Sequence, residues 1–285
     1  MKRDCDGGVV LINVLVILSI ASIVVFLMLT SQDVSLRRAQ SMAAATAADA
    51  LARGAEASAV TALRRDMINA PDTDNYAEPW AQVAQQETGL STGRFSVTIR
   101  DAQAKLNLTR LAGGAQVEVE ALLRVLAELE ISRADGARIA TEIAGRPGLK
   151  NLSDLRSISP ETVNALSPYV DFLPATATIN LNTAAPLLLR AVLNNGSAAL
   201  RLESMRKSAG LLTPQDLDRV GAVQPALAGF TSQNFDIDIF AEVDDITVNL
   251  HSRIARLESF AGRSVVVTRR AYGVPLNTVP AIPQM

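Results

Sequence analysis

Three carboxylates lie close together in the segment APDTDNYAEPW, residues 70–80: Asp72, Asp74 and Glu78. Carboxylate oxygens are the ligands that Ca²⁺ prefers, so this spacing is compatible with a calcium site. The same segment is rich in turn-forming residues, which favours a solvated turn that ends a helix. We therefore expect no cofactor, and calcium at this turn is the alternative.

Residues suited to nucleophilic or acid-base chemistry are scarce. The chain has one cysteine, Cys5, and one histidine, His251, which falls in a predicted strand. No cysteine-histidine pair, zinc-ligand spacing, glycine-rich phosphate loop or G-x-S-x-G motif is present. The adjacent Asp244 and Asp245 fall in a predicted turn between strands. The sequence therefore predicts a protein that is not an enzyme.

The composition limits the class further. Across 285 residues, 27 basic side chains are balanced by 29 acidic ones. This lacks the basic excess that nucleic-acid binding usually shows, so no nucleic-acid partner is expected. A single cysteine excludes an intramolecular disulfide. The length fits one membrane element plus one or two soluble domains.

An uncharged apolar segment, residues 9–29, lies near the N-terminus. At about 1.5 Å per residue it is long enough to cross a hydrocarbon core of roughly 30 Å. An ordinary secretory signal has an apolar region of only about 7 to 15 residues, so this segment predicts a permanent anchor. Lys2 and Arg3 precede it and favour a cytoplasmic N-terminus with a translocated body.

The pair Gly7-Gly8 stands directly before the apolar segment, after a short polar leader. This arrangement resembles the class III leader of type IV pilins and pseudopilins, which a prepilin peptidase cuts after the glycine before methylating the new N-terminus. A small residue lets the backbone approach a protease at the membrane surface. The resemblance implies cleavage between Gly8 and Val9 and N-methylation of Val9. The alternative is a plain signal anchor with incidental glycines.

A long helix is predicted from residue 9 to about residue 65, because the first proline is Pro71. Beyond the membrane its apolar and small residues recur at three- and four-residue steps, while charged residues such as Glu56 are expected mostly on other faces. The stripe comprises Val34, Ala39, Met42, Ala43, Ala47, Ala50, Leu51, Gly54, Ala59 and Leu63. Its small residues suit close packing against parallel helices or the soluble domain. A coiled-coil dimer is the alternative, although larger residues are typical there.

The middle of the chain begins with a predicted strand, GRFSVTIRD, residues 93–101. From residue 106 to about residue 230 the pattern is helical and contains a loose repeat, in which Ser153 and Thr213 are predicted helix N-caps. The repeat resembles helix-hairpin-helix modules that bind DNA phosphates through backbone amides. The glycine and basic residues from Gly145 to Lys150 match such a turn in part. A membrane-tethered DNA-binding or DNA-uptake module is therefore the alternative function.

Three strands are predicted at the C-terminal end: FDIDIFAEV, ITVNLHSRIARLE and SVVVTRRAY. Because Asp236 and Asp238 alternate with apolar residues, we expect them on a solvated face rather than in a metal site. The proline-containing tail, residues 273–285, is expected to be loose.

Taken together, these features resemble the K-type minor pseudopilins of the type II secretion system, general secretion pathway protein K. The more specific parts are ARGAEA with RRD within residues 52–66, EPW at residues 78–80 and N-x-N-T-A at residues 180–184. The resemblance covers nearly the whole chain. It implies an α+β fold in which a long membrane-spanning N-terminal helix packs on a small antiparallel sheet, pilin-like, with an inserted α-helical domain that contains the helix-hairpin-helix-like repeats.

The implied division assigns each segment a part of this architecture. Residues 1–8 are the leader, 9–29 the transmembrane half of the helix and 30–70 its periplasmic half. The pilin-like α/β domain comprises residues 71–105 and 232–272, and the inserted helical domain comprises residues 106–231. An acidic loop expected between the two halves of the insert is reduced to AGRPGLKN, residues 144–151. The calcium sites of the family are therefore expected to be missing.

The resemblance also implies a function. It predicts a single-pass protein of the bacterial inner membrane with a periplasmic body, at the tip of a pseudopilus that supports export of folded proteins across the outer membrane. Expected partners are the I, J and H minor pseudopilins, the major pseudopilin G, the prepilin peptidase and the inner-membrane secretion platform. Counted from Val9, mature position five is Asn13. Most pilins carry there a glutamate that pairs with a neighbour's N-terminal amine, and the K type lacks it, which fits a cap. A minor pilin of a related pilus-like assembly is the alternative.

Overall fold

The computed structural model describes residues 6–69, 72–82, 85–90, 93–114, 116–259 and 262–273. The predicted fold class is confirmed: a long helix packs on an antiparallel sheet, and further helices are inserted between strands. Residues 1–5 of the predicted leader and residues 274–285 of the predicted tail lie outside the described residues.

Helix α1, Asp6–Asn69, is 64 residues long and dominates the molecule. With no proline in its interior, its backbone hydrogen bonds continue without interruption. From residue 11 to residue 43 every side chain is exposed, and the first buried one is Ala44. The helix therefore has a free N-terminal part and a C-terminal part that is packed against the body.

The sheet has five antiparallel strands in the order β1-β2-β7-β8-β9. Their bounds are β1 Gln85–Leu90, β2 Gly93–Asp101, β7 Asn234–Val243, β8 Ile246–Ser259 and β9 Gly262–Tyr272. The predicted turn at Asp244-Asp245 is confirmed, and both residues have positive φ, 47° and 63°. A two-residue hairpin loop with positive φ at both positions matches the right-handed twist of the flanking strands.

The core of the pilin-like domain lies between α1 and one face of this sheet. Small residues on α1, including Ala52 and Ala59, let the helix approach the strands closely. Trp80 is fully buried and packs edge-to-face on Phe235, with ring centroids 5.1 Å apart. This aromatic pair anchors the turn after α1 to the centre of the sheet.

The helical insert has a separate hydrophobic core. Its helices are α3 Gln116–Glu128, α4 Arg133–Gly145, α5 Pro160–Leu166, α6 Pro186–Leu193, α7 Gly196–Ala209 and α8 Pro214–Arg219; the short α2, Pro79–Gln82, precedes the sheet. The insert also contains two small parallel ladders, in which β3 Leu106–Asn107 pairs with β4 Val170–Asp171 and β5 Ile179–Asn180 pairs with β6 Ala228–Gly229. The insert thus leaves and re-enters the sheet at neighbouring points, the end of β2 and the start of β7.

Of the two predicted caps, one is confirmed and one is wrong. Thr213 caps α8 in a capping box with Asp216. Ser153 lies inside a 3₁₀ turn, Leu152–Asp154, whose N-cap is Asn151. Asn151 and Asp154 together form the capping box of that turn. The cap therefore lies two residues before the predicted position.

Candidate functional site: the free helix and its attachment to the body

The free part of α1 has the properties of a membrane span. A stretch of 18 residues within it has a mean hydropathy of 2.9, and no residue of this stretch is buried. The helix is therefore long and apolar enough to cross a membrane. The hydroxyl groups of Ser19 and Thr30 donate to the carbonyl oxygens of Leu15 and Phe26, at 2.8 and 3.1 Å. Such internal hydrogen bonds are what a lipid environment requires of polar groups.

The predicted processing residues lie at the start of this helix. Gly8 and Val9 fall in its first turns, and Asn13 is exposed one turn beyond Val9. Cleavage after Gly8, methylation of Val9 and the role of Asn13 remain predictions.

The predicted stripe of small residues divides between two faces. Ala59 and Leu63 are buried against the sheet, whereas Ala43, Ala47 and Gly54 are exposed. The helix is therefore rich in small residues on both sides, one of which the sheet covers. Because alanine occurs all round the helix, its periodicity in the sequence did not separate these faces.

Glu56 was expected to face away from the packed side, and this is wrong. It is buried, and it accepts hydrogen bonds from the guanidinium of Arg270 at 2.7 Å and from the hydroxyl of Ser252. Burial alone would raise the pKa of Glu56, but these donors and the charge of Arg270 lower it. The ionised carboxylate of Glu56 therefore links α1 to strands β8 and β9.

The interpretation of the carboxylate turn as solvated is also wrong. Asp72 is exposed, but Asp74 and Glu78 are buried, and Asp66 from α1 joins them within 4.8 Å. The guanidinium of Arg256 on β8 bridges the two aspartates, at 2.6 Å from Asp66 and 2.5 Å from Asp74. We name Asp66, Asp74, Glu78 and Arg256 the carboxylate cluster.

The carboxylate cluster does not fit a calcium ion, because its oxygens already serve other donors. The two oxygens of Glu78 accept from the Asn75 amide and from the Trp80 indole N–H, each at 2.7 Å. The second oxygen of Asp74 accepts from the backbone N–H of Ser232 at 2.6 Å. The guanidinium of Arg256 already supplies a positive charge between Asp66 and Asp74. Burial raises the pKa of Asp66 and Asp74 in spite of Arg256, and it raises that of Glu78 to about 7.

The N-x-N-T-A motif at residues 180–184 joins the insert to this region. The Asn180 amide is fully buried and donates to the carbonyl of Asp74, to Asp101 and to the Ser232 hydroxyl, each at 2.9 Å. Asp101 also accepts from the hydroxyls of Thr183 and Ser232, at 2.5 and 2.6 Å. Burial raises its pKa to about 6, against these hydrogen bonds. The sequence marked this motif as distinctive but gave no sign of its partners.

Asp236 and Asp238 alternate with buried apolar residues as predicted, but the face that they line is only partly solvated, since their side chains are 31% and 22% exposed. Arg253 on β8 joins Asp236 to Asp171 of the insert, with nitrogen-oxygen distances of 2.7 and 2.6 Å. Asp238 pairs with Arg100 and, at 2.5 Å, with Nδ1 of His251. The other face of the sheet therefore carries ion pairs, one of which ties it to the insert.

His251 is placed as a structural residue. Its Nδ1 faces Asp238 and its Nε2 lies 2.7 Å from the carbonyl oxygen of Gly273. Because both ring nitrogens are engaged, the imidazole is not available as a general base.

The segment from Gly145 to Lys150, on which the alternative DNA-binding function depends, has its arginine engaged within the chain. The guanidinium of Arg146 pairs with Glu142 at 2.5 Å and donates to the carbonyl of Asp154 at 3.1 Å. Glu142 itself accepts from the backbone N–H groups of Arg156 and Ser157, at 3.0 and 2.9 Å. Partial desolvation would raise the pKa of Glu142, but these donors lower it to about 2. The carboxylate of Glu142 thus links α4 to the backbone at Arg156 and Ser157.

A long N-terminal helix laid across an antiparallel sheet defines the class of fold as pilin-like, here interrupted by a helical insert. Comparison with known structures finds the same fold in a chain of the GspK-GspI-GspJ complex from the enterotoxigenic Escherichia coli type 2 secretion system, with a TM-score of 0.64. The alignment covers 84% of this chain and 100% of that chain at 19% sequence identity, which establishes the fold. No family model matches the sequence. No curated protein matches it either.

Proposed function

We propose that the chain is a K-type minor pseudopilin of a type II secretion system, an interaction protein without catalytic activity. The observation that carries the proposal is the likeness of fold over the full length of a chain from the GspK-GspI-GspJ complex. The free apolar helix and the glycine pair before it support the same assignment. The ion pairs and hydrogen bonds of the body hold the insert and the helix together, and they leave the first part of α1 free for the membrane and for assembly.

The proposed protein crosses the bacterial inner membrane once, with its N-terminus in the cytoplasm and its body in the periplasm. The prepilin peptidase cuts between Gly8 and Val9 and methylates Val9. Asn13 at mature position five carries no charge, so this subunit has no carboxylate to pair with the N-terminal amine of a neighbour. An uncharged residue costs less in lipid than an unpaired glutamate would. A subunit of this kind is suited to cap or initiate the filament and so to support export of folded proteins.

The proposed partners are the I, J and H minor pseudopilins, the major pseudopilin G, the prepilin peptidase and the inner-membrane platform. The first two are those that share a complex with the structural neighbour. We further propose that the chain works without a resident metal, because Arg256 fills the carboxylate cluster. Calcium titration of the purified chain, followed by thermal unfolding, tests this; a calcium-dependent rise in melting temperature would contradict it.

The decisive experiment is analysis of the mature N-terminus. The chain is co-expressed with its host's prepilin peptidase and examined by mass spectrometry, beside Gly8→Glu and a control, Gly7→Ala, that leaves Gly8 in place. We expect a product that begins at N-methyl Val9 in the wild type and in the control, and an uncut chain in Gly8→Glu. An intact Met1 terminus in all three would refute the pilin class. Pulldown of the I and J types by the processed chain then tests the tip role.

A further inference from the structure

An open groove lies on the insert, between α4 and the loop that follows the 3₁₀ turn at Leu152–Asp154. We name it the α4 groove; its volume is about 520 Å³, and it is lined by Ala137, Arg138, Thr141, Glu142, Arg156 and Ser157. Residues 137, 138 and 141 are within four positions of one another on α4, so they share one side of the helix. Because Ala137 and Thr141 are small, the helix side of the groove leaves room for a side chain from outside.

Arg156 is the lining cation whose charge no carboxylate compensates within the part of the chain that the structure describes. Arg138 pairs with Asp135 of the same helix, and Glu142 pairs with Arg146. Arg156 is exposed, and none of the described residues accepts a hydrogen bond from its guanidinium. The α4 groove therefore carries one uncompensated positive charge.

The backbone at Arg156 is held in place by α4. Both oxygens of Glu142 accept from the N–H of Arg156, at 3.0 Å, and one of them accepts from the N–H of Ser157 at 2.9 Å. The side chain of Glu142 is only 10% exposed, so its carboxylate fixes the loop and does not compete for a ligand. A guanidinium on a loop that is already fixed loses less conformational freedom when it binds.

The number of unpaired cations decides the class of ligand. A guanidinium and a carboxylate form two parallel charge-assisted hydrogen bonds, so one unpaired arginine matches one carboxylate. Nucleic acids are bound through several phosphates, each neutralised by a lysine or an arginine. Here Arg138 and Arg146 are already paired with carboxylates of α4. The charges therefore favour a single acidic side chain over a polyanion.

We propose that the α4 groove docks an aspartate or glutamate side chain of a partner protein, with Arg156 as the anchor. The carboxylate accepts two N–H groups of the Arg156 guanidinium, and the methylene stem of the acidic side chain lies against Ala137 and Thr141. The groove shares no residue with the apolar helix or with the processing site, so the inference does not rest on the proposed function.

The binding test uses the full chain, labelled with ¹⁵N, in detergent micelles. The probe is the peptide acetyl-Ala-Glu-Ala-amide, and the same peptide with glutamine is the uncharged control. NMR follows the side-chain Nε–H resonance of Arg156, which is assigned by its loss in Arg156→Gln. We expect the glutamate peptide to shift this resonance and the glutamine peptide to leave it unchanged. In the variants, binding is followed through the backbone amides of Thr141 and Ser157.

Two variants separate the charge from the groove. Arg156→Gln should weaken binding of the glutamate peptide at least about tenfold, as the loss of a charge-assisted hydrogen bond predicts. Ala137→Phe keeps every charge but fills the groove, and it should weaken binding as well. Arg263→Gln is the matched control, because Arg263 is an exposed arginine that pairs with Glu258 and does not line the groove. The fluorescence of Trp80 checks that each variant is folded.

Several results would overturn the proposal. If the glutamate peptide does not shift the Arg156 resonance, if both peptides shift it equally, or if Arg156→Gln binds as the wild type does, the groove does not recognise a carboxylate through Arg156. Undiminished binding in Ala137→Phe would show that Arg156 acts as a surface charge without the groove. A double-stranded oligonucleotide that shifts the Arg156 resonance at lower concentration than the peptide, with an affinity that falls steeply with salt, would assign the arginine to nucleic acid instead. None of these results depends on N-terminal processing, so failure here is distinguishable from failure of the proposed function.

Discussion

Arg256 offers the strongest test of how the body is held together. Its guanidinium bridges Asp66 and Asp74, stacks 4.5 Å over the ring of Phe235, and is 6% exposed. Replacement by methionine keeps much of the apolar volume but leaves two buried carboxylates without their cation. Removing one partner of a buried ion pair costs about 3–5 kcal/mol. At about 2–4 °C per kcal/mol for a body of this size, the melting temperature should fall by about 6–20 °C.

The assay is urea unfolding of the full chain in detergent, followed through Trp80, which is fully buried against Phe235. Arg263→Met is the control, because the Arg263–Glu258 pair is exposed, with side chains 50% and 58% accessible. Exposed pairs contribute about 0–1 kcal/mol, so this variant should remain near the wild type.

Two further measurements separate the ionic effect from a packing defect. Since burial already raises the pKa of Asp66 and Asp74, protonation should compensate for the loss of Arg256, and the deficit of Arg256→Met should shrink by at least about 1 kcal/mol between pH 7.5 and pH 5. The triple variant Asp66→Asn, Asp74→Asn, Arg256→Met should recover part of the stability at neutral pH. A deficit below about 1 kcal/mol, or one that does not respond to pH, would refute the reasoning.

Three other predictions concern separate elements. Asn180→Ala should destabilise the chain by about 1–3 kcal/mol in the same urea assay, because it removes the side-chain donor to the buried carbonyl of Asp74 and one of the three side-chain donors to Asp101. Exposed Asn164→Ala is the comparison, and equal losses would contradict this. The pKa of Glu142 is lowered to about 2, so its ionised carboxylate should stabilise the fold fully above about pH 4.5 and progressively less down to pH 2. In thermal unfolding, the melting temperature of Glu142→Gln should therefore approach that of the wild type in acid. A constant difference between the two across that range would argue against this. Asp245→Gly should raise the free energy of unfolding by about 0.5–1 kcal/mol, because φ is 63° at this position and glycine adopts positive φ readily. Val243→Gly in the adjoining strand is the control and should lower the free energy of unfolding. A lower free energy of unfolding in Asp245→Gly would show that the side chain of Asp245 matters more than its backbone.

Local patterns were sufficient for the long elements. The absence of proline before residue 71 predicts one continuous helix, and α1 runs without a break to Asn69. Alternation in FDIDIFAEV predicts β7, and the Asp-Asp pair predicts the hairpin that follows it. These features depend on sterics and on side-chain period, which are encoded within a few residues.

The partners of polar residues were beyond the reach of the sequence. Asp74 and Arg256 are 182 residues apart in the chain, far beyond the few residues that a local pattern relates. The same holds for Glu56 with Arg270 and for Asp101 with Asn180. Whether a carboxylate faces water or an arginine depends on which strands pair, so the sequence did not show that Asp74 and Glu78 are buried or that the aspartates of β7 are paired with arginines.

The sequence by itself determined a long helix with an apolar N-terminal part and a pilin-like order of elements, because hydropathy, proline content and spacing are local properties. Only the tertiary structure decided that Arg256 pairs with Asp66 and Asp74, that Glu142 accepts from the amides of Arg156 and Ser157 and that Asn180 links the insert to Asp74 and Asp101. Each of these depends on burial, which brings distant charges into contact and makes their compensation necessary.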